Sequence, residues 1–242
     1  MKEMAISIEN VKKSFKIYKD KGFTLKERVL FFKSRNAYVK NNILKGISFN
    51  IEKGDILGIV GKNGSGKSTL LKVISQIIEP TTGIVKVDGK ISPLIELGTG
   101  FDFDLTAREN IYLNGYILGY SKKFIDKSFD EIVEFAELGE FIDVPLKSFS
   151  SGMVARLGFA ISTIVKPDIL IVDEILSVGD FKFQEKSLNK IKSMMEDGVT
   201  VLMVSHSIDQ IEKMCNRVVW LENGSIKKIG LTKEICNEYK NS

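Results

Sequence analysis

The stretch Gly61-Lys62-Asn63-Gly64-Ser65-Gly66-Lys67-Ser68 matches the pattern G-x-x-x-x-G-K-[ST] in full. It follows an apolar run at 56–60 and precedes a helix-like run at 69–74, so it predicts a strand, a glycine-rich turn and a helix. The glycines let consecutive backbone N–H groups point at phosphate oxygens. The positive end of the helix dipole adds to this attraction. We therefore predict a nucleotide-phosphate site in an α/β core.

Two residues of this phosphate loop have specific expected roles. Lys67 can reach the β- and γ-phosphates of ATP, and the Ser68 hydroxyl can bind Mg²⁺. The alternative is a glycine-rich turn that binds nothing, and the lysine and serine in register argue against it. The other residues predicted to bind the nucleotide here are Gly61, Lys62, Asn63, Gly64, Ser65, Gly66 and Thr69.

Composition limits the classes of function. The chain has 242 residues, with 35 Lys and Arg, 31 Asp and Glu, and a formal net charge of +4. Basic and acidic residues are mixed, so we predict no nucleic-acid partner. Cys215 and Cys236 are too few for a disulfide framework and lack metal-ligand spacing. There is no signal-peptide pattern, and no apolar run approaches the ~20 residues of a membrane span. We expect a cytoplasmic protein that meets the membrane through a partner.

The order of the segments predicts an α/β fold. A helical stretch at about 100–165 interrupts the strand patterns, and a basic insert at about 16–42 follows the first strand. We predict one domain over 1–242: a P-loop NTPase core with a parallel sheet, a small antiparallel β-subdomain and an inserted helical subdomain. Asn223-Gly224 favours a two-residue hairpin between the last two strands. The predicted strands are 5–11, 43–51, 56–60, 84–87, 169–172, 199–204, 218–221 and 226–229.

Two carboxylates end one of these strands. The apolar run at 169–172 leads directly into Asp173-Glu174. A buried strand of this kind delivers Asp173 to the carboxyl edge of the sheet, where ligands bind in open α/β folds. We predict that Asp173 holds Mg²⁺ together with Ser68 and that Glu174 is the general base. Two acidic residues that merely end a core strand are the alternative, which the phosphate loop disfavours.

The only histidine, His206, follows the apolar strand at 199–204 and is expected at the same sheet edge. A lone histidine in such a place is often only a structural hydrogen-bond partner. An imidazole near the γ-phosphate can instead orient the attacking water and Glu174. We predict this catalytic role for His206.

Ser150-Ser151-Gly152 begin a helix at the end of the helical stretch. They offer backbone N–H groups, a hydroxyl and the positive end of a helix dipole to an anion. Alone, the pattern would be read as an ordinary serine N-cap. Its place before Asp173-Glu174 favours a second segment that contacts the nucleotide.

In their order and spacing these motifs resemble the nucleotide-binding domain of an ABC transporter, over essentially the whole chain. The resemblance implies that two copies form a head-to-tail homodimer. Each ATP would then lie between the phosphate loop of one copy and the serine-glycine segment of the other, with Asp180 at the same site. The motifs outside the phosphate loop are Ser150-Ser151-Gly152, Asp173-Glu174, Ser177-Val178-Gly179-Asp180 and His206.

Finer features resemble the ATP-binding subunits of bacterial polysaccharide exporters. The resemblance implies an ATPase that exports a lipid-linked polymer such as O-antigen or teichoic acid through two permease subunits. It would be peripheral, on the cytoplasmic face of the inner membrane. The alternatives are an ABC ATPase for another cargo and a soluble ABC ATPase without transport. Because the sequence stops soon after Gly230, we expect no carbohydrate-binding domain. The features are Phe149–Met153, Ala155-Arg156-Leu157, Glu96–Phe101, Thr106–Ile111, Val178-Gly179-Asp180 and the insert at 16–42.

Several positions depart from the usual family pattern. Ser151 stands where glycine is usual, and Met153 where glutamine is usual. No glutamine occurs from Lys90 to Leu105, where the family has one that contacts Mg²⁺. Glu96 stands near that place, and we take it as the candidate ligand.

The aromatic residue that stacks on adenine is ambiguous because of the insert. Phe15 fits by its local context and is the predicted residue. Tyr18 and Tyr38 are the alternatives.

Overall fold

The structure is a computed structural model that describes residues 3–18, 38–95, 97–173, 179–205 and 207–241. None of the helices in these ranges is long and apolar enough to cross a membrane. In chain order the elements are β1 (Met4–Tyr18), β2 (Tyr38–Glu52), β3 (Ile56–Val60), α1 (Lys67–Ile74), β4 (Thr82–Val87), β5 (Ile91–Pro93), α2 (Ala107–Ile117), α3 (Lys122–Ala136), two short 3₁₀ turns (Gly139–Phe141 and Leu146–Ser148), α4 (Ser151–Thr163), β6 (Ile169–Val172), α5 (Phe181–Glu196), β7 (Thr200–Val204), α6 (Ile208–Met214), β8 (Arg217–Glu222), β9 (Ser225–Leu231) and α7 (Thr232–Lys240).

A six-stranded sheet in the order β5-β6-β7-β3-β8-β9 forms the centre of the molecule. The first five strands are parallel, and β9 is antiparallel to β8. All residues of β6 and β7 are buried, as expected for a parallel sheet covered on both faces. Because β6, β7 and β3 are neighbours, the loops that follow them emerge side by side. The predicted α/β class is confirmed.

A three-stranded antiparallel sheet in the order β2-β1-β4 packs beside the large sheet. Its first two strands are longer than the alternation of polar and apolar residues predicted. They continue through 16–18 and 38–42, which the sequence assigned to the insert, because cross-strand pairs such as Ile17 with Val39 extend the ladder. Strand β4 pairs with β1 only as far as Lys12. Beyond that residue, β1 and β2 form a two-stranded ribbon, which we call the β1–β2 hairpin. The rest of the predicted insert, 19–37, lies outside the described residues.

Three apolar clusters hold these layers together. The first lies between the two sheets and includes Ile47 and Leu70, which are fully buried. The second covers the other face of the large sheet, where Phe183 and Ile235 from α5 and α7 pack against it. The third joins α2, α3 and α4 around Ile111 and gives this helical part a core of its own. Each fully buried side chain of this kind contributes about 1.5–3 kcal/mol.

The hairpin between β8 and β9 is also tied to the phosphate loop. Glu222 pairs with Ser225, and the two residues between them have φ values of 49° and 80°, so the predicted two-residue turn is confirmed. The Gly224 N–H donates to the Ser65 carbonyl at 3.1 Å, and the Gly224 carbonyl accepts from the Lys45 N–H at 2.8 Å. Gly224 therefore joins β2 to the phosphate loop through its backbone.

Asn110 fixes the loop that leads into α2. Its side chain is fully buried. The Nδ2 group donates to the carbonyls of Asp102, Leu105 and Thr106 at 2.8, 3.2 and 2.9 Å, and Oδ1 accepts from the Asp102 N–H at 2.9 Å. One buried amide thus contacts four backbone groups of this loop, and it is the partner of the Asp102 N–H.

We expect Asn110→Ala to lower the free energy of unfolding by about 1–3 kcal/mol, because it leaves the Asp102 N–H without its partner and removes the side-chain hydrogen bonds to three carbonyls. Asn110→Asp keeps the shape but cannot donate to three carbonyls, so it should destabilise as well. Urea unfolding measures both, with the exposed Asn237→Ala as the control, for which we expect a change within about 0.5 kcal/mol. Wild-type stability of Asn110→Asp would contradict this account.

Candidate nucleotide-binding site

The phosphate loop connects β3 to α1, as the pattern predicted. Gly64 and Gly66 have φ values of 79° and 104°, which glycine adopts without strain. A Cβ atom at Gly64 would meet nothing within 4 Å, so there is open space above the loop. Gly66 is the N-cap of α1 and provides no side-chain hydrogen bond to it. The first N–H groups of α1 are therefore left for another acceptor.

The burial and hydrogen bonding of Ser65 and Lys67 show whether this loop can accommodate phosphate. Ser65 Oγ is buried and has no hydrogen-bond partner among the described residues. Lys67 is also buried, and its Nζ donates to the carbonyls of Gly61 at 2.7 Å and Lys62 at 3.2 Å. An unpaired buried hydroxyl and a buried ammonium group in a glycine-rich loop are donors from which phosphate oxygens can accept. The residues of the phosphate loop therefore fit a nucleoside triphosphate.

The carboxyl ends of β6, β7 and β3 meet beside this loop. Val172 pairs with Met203, and Val204 pairs with Ile59, so the chain segments that follow the three strands lie at one edge of the sheet. Asp173 follows β6 and is half-buried. Ser68, in the first turn of α1, is exposed. The fold thus brings two of the three predicted Mg²⁺ ligands, Ser68 and Asp173, to the same edge of the sheet.

Three predicted site residues, Glu174, His206 and Glu96, lie outside the described residues, and their roles stay predictions. The neighbours of position 206 are nevertheless informative. Ser205 Oγ donates to Gln210 Oε1 at 2.7 Å and accepts from the Ser207 N–H at 3.1 Å. These bonds connect Ser205, after the end of β7, to the start of α6. Sequence reasoning missed Gln210, although Ser207 three residues earlier is a recognisable N-cap signal.

Ser150 begins α4 as an N-cap, since its side chain accepts from the Met153 N–H at 3.2 Å. The predicted segment Ser150-Ser151-Gly152 also lines an open cavity of about 610 Å³. Gly179 and Asp180 form another part of its wall. The ordinary capping role and an exposed binding face therefore coexist at this helix end.

Asp180 is held by its own subunit. Its carboxylate caps α5 by accepting from the Phe183 N–H at 2.9 Å and forms an ion pair with Arg156. The backbone hydrogen bond from Phe183, with the Arg156 charge, lowers the pKa of Asp180 below its usual value. The predicted contact of Asp180 with nucleotide stays a prediction.

Arg156 is a residue that sequence reasoning did not assign to the site. It is only 17% exposed, and its Nη1 donates to Glu137 Oε2 at 3.2 Å while Nη2 binds Asp180. Its guanidinium group lies 5.0 Å from the centre of the Phe183 ring. Arg156 therefore fixes the start of α4 relative to the start of α5 and the end of α3. Its spacing in the sequence gave no sign of this, because all three partners are distant along the chain.

The candidate adenine-stacking residues lie on the ribbon of β1 and β2. Phe15 is exposed, and Lys13 Nζ lies 5.2 Å from its ring centre. Tyr38 is exposed as well, with Lys16 Nζ at 4.8 Å. The side chain of Tyr18 lies outside the described set. Both described rings are accessible to a base.

Residues 44–177 match the family model described as "ABC transporter", which is more than half of the 242 residues. The chain belongs to the ABC transporter family. This confirms the resemblance to ABC transporter ATP-binding subunits and the prediction that the protein is an ATPase. It also agrees with a phosphate loop whose donors fit a triphosphate.

Two relatives narrow the subfamily. The O-antigen export system ATP-binding protein RfbB of Klebsiella pneumoniae is 42% identical over 241 residues, which cover 98% of this chain and 98% of RfbB. The teichoic acids export ATP-binding protein TagH of Enterococcus faecalis is 46% identical over 215 residues, or 89% of this chain. Those residues cover 48% of TagH, so this chain spans about half of that relative.

Among solved structures, the ATP-binding cassette MJ0796 in a dimeric, post-hydrolysis state bound to ADP and Pi has a TM-score of 0.73. It is 25% identical and the match covers 94% of this chain and 98% of that one. An ATP-binding subunit of an ABC transporter, 20% identical, has a TM-score of 0.76 over 98% of this chain and 93% of the other, which shows the fold.

Ser65→Ala tests the fit of the phosphate loop. Replacing an unpaired buried hydroxyl with a methyl group should leave the melting temperature of the nucleotide-free protein unchanged or higher. Loss of a donor to a charged phosphate should weaken ATP binding about tenfold or more. Thermal unfolding with and without ATP measures both effects.

Ser187→Ala is the matched control, because Ser187 Oγ is also buried and unpaired but lies on α5. We expect a similar effect on stability and no effect on the ATP-induced shift. Equal loss of the ATP-induced shift in both variants would contradict a phosphate role for Ser65.

Proposed function

We propose that this chain is the ATP-hydrolysing subunit of an exporter that moves a lipid-linked polysaccharide, such as O-antigen or teichoic acid, across the cytoplasmic membrane. The observation that carries the proposal is 42% identity to an O-antigen export ATP-binding protein over nearly the full length of both chains. The fit of the phosphate loop to a triphosphate supports the energy-supplying part of this role. The protein acts as a peripheral subunit on the cytoplasmic face.

ATP binding uses donors that the ligand-free fold already positions. Lys67, the Ser65 hydroxyl and the first N–H groups of α1 bind the phosphates. Phe15 stacks on the adenine, since its exposed ring lies on a hairpin that Gly224 joins to the phosphate loop. Because these donors are already in position, they lose little conformational entropy when ATP binds, and this favours tight binding of the nucleotide.

Hydrolysis requires a base and a group that orients water. Glu174, the residue after Asp173 in the sequence, takes the proton of the attacking water. His206, which stands between Ser205 and Ser207 in the sequence, holds the water in line. Ser68, Asp173 and Glu96 would hold Mg²⁺, which when bound neutralises part of the phosphate charge.

The open cavity beside Ser150 suggests how ATP drives assembly. Within one copy the segment Ser150–Gly152 faces a cavity rather than its own phosphate loop. A second copy in head-to-tail orientation brings its loop and ATP to this segment. A single helix end contributes only about 0.3–1 kcal/mol to anion binding, so donors from both copies are needed for ATP to favour the closed dimer. Two permease subunits convert closing and opening into transport.

Export in a strain that lacks this chain tests the proposed function. We expect wild-type protein to restore polymer at the cell surface and Glu174→Gln to leave labelled glycan in the cytoplasm, because proton transfer from water is lost. ATP turnover of Glu174→Gln should fall about 10²–10⁴-fold. Glu185→Gln, an exposed change on α5, should behave as wild type.

Normal surface polymer in the strain without this chain would point to another cargo. ATP turnover by Glu174→Gln at the wild-type rate would refute the assignment of the base.

Ser150→Arg tests the shared nucleotide site. The larger, charged side chain fills the cavity, so ATP-dependent dimerisation should be lost, whereas ATP binding to the monomer should persist because the phosphate loop is untouched. Analytical ultracentrifugation with a slowly hydrolysed ATP analogue measures dimerisation. Equilibrium dialysis measures ATP binding to the monomer. Ser193→Arg makes the same change on an exposed face of α5 and should dimerise normally. Unchanged dimerisation of Ser150→Arg would rule out a nucleotide site shared between two copies in this way.

A further inference from the structure

A second cavity, of about 450 Å³, lies on the small antiparallel sheet. It is formed by β1, β2 and the start of β4. None of its lining residues belongs to the predicted nucleotide site. Three lysines and three hydroxyl side chains take part in its wall: Lys12, Lys40, Lys45, Ser14, Thr81 and Thr82.

Among the described residues, the charged side chains that line this cavity are all lysines. Where the structure describes the chain, no carboxylate pairs with Lys12, Lys40 or Lys45, and no acidic residue lines the cavity. The strand sequences at 11–18 and 38–50 contain no Asp or Glu at all. Like charges around one cavity repel each other, and a bound anion removes that repulsion.

The two threonine hydroxyl groups add donors that suit oxygen-rich anions, whereas the Ser14 hydroxyl already donates to Asn42 Oδ1 at 2.8 Å. Thr81 Oγ1 accepts from the Ser14 N–H at 3.0 Å, which leaves the hydroxyl hydrogen of Thr81 to donate. Ammonium and hydroxyl donors together match the several oxygens of a phosphate group. The cavity therefore presents lysine side chains and two threonine hydroxyl groups to a phosphate group.

The cavity lies on the opposite face of the hairpin from the candidate adenine-stacking residue. Lys12 and Ser14 line it, whereas Lys13 and Phe15 share the other face, as their cation–π contact shows. An anion in the cavity is thus separated by the hairpin from a base stacked on Phe15. Leu44, in the cavity wall, reaches the phosphate loop: its Cδ2 lies 2.9 Å from where a Cβ of Gly66 would stand.

We propose that this cavity binds the phosphate group of a ligand other than the hydrolysed nucleotide. The ligand is either an anionic lipid headgroup or a free phosphate compound, since both present the same chemistry to Lys12, Lys40 and Lys45. The inference goes beyond the proposed function and does not depend on the cargo.

The test uses the full chain with its nucleotide site saturated by Mg-ADP, so that the phosphate loop cannot bind the probe. Inorganic pyrophosphate is titrated by calorimetry. Binding to phosphatidylglycerol vesicles is measured by flotation, with phosphatidylcholine vesicles for comparison. The cavity variant is Lys12→Gln/Lys40→Gln, and the control is Lys13→Gln/Lys86→Gln, which removes the same charge from side chains that do not line the cavity.

We expect the cavity variant to lose about tenfold or more in affinity and the control to bind as wild type. Binding of pyrophosphate identifies a free phosphate compound, and binding of phosphatidylglycerol vesicles alone identifies a lipid headgroup. Equal losses in the two variants, or wild-type protein that binds neither probe, would overturn the proposal. Basal ATP turnover of the cavity variant should equal that of wild type, so failure here leaves the proposed function standing.

Discussion

Three buried strands, β6, β7 and β3, pair side by side in parallel, and their carboxyl ends finish at one edge of the sheet. The backbone hydrogen bonds of these strands lie in apolar surroundings, where an unpaired group costs about 1–3 kcal/mol. A shift of one strand against the next is therefore unfavourable. This pairing fixes the relative positions of the segments that directly follow the three strands: the phosphate loop, Asp173 and Ser205. The proposed binding and hydrolysis of ATP depend on these positions.

The helical part of the chain is held in place by a different kind of contact. Arg156 contacts Glu137, Asp180 and the ring of Phe183 at once, with little of its side chain in water. A single exposed ion pair is worth only about 0–1 kcal/mol, but a partly buried group shared by two carboxylates and an aromatic face resists separation more strongly. The start of α4 and the start of α5 therefore move as one unit. A partner that displaces one displaces the other.

Most of the fold, including the strand, glycine-rich loop and helix of the phosphate loop, could be predicted because the signals are local. Turn glycines, a lysine after a strand and continuous apolar runs are visible within a few residues. The extension of β1 and β2 could not be predicted, because the pairing of Ile17 with Val39 crosses a basic insert without periodicity. The contacts of Arg156 were missed for the same reason. Its partners come together only when three separate helices pack.

The net charge of +4 is a poor guide to where this protein attracts anions. The strand segments at 11–18 and 38–50 carry lysines without any carboxylate, whereas other parts of the surface are neutralised by ion pairs such as Lys53 with Asp88. Charges act over about 8 Å at physiological salt, so the local arrangement matters more than the sum. These strands also touch the phosphate loop through Leu44. The hairpin therefore combines a positive field with direct mechanical contact to the nucleotide site.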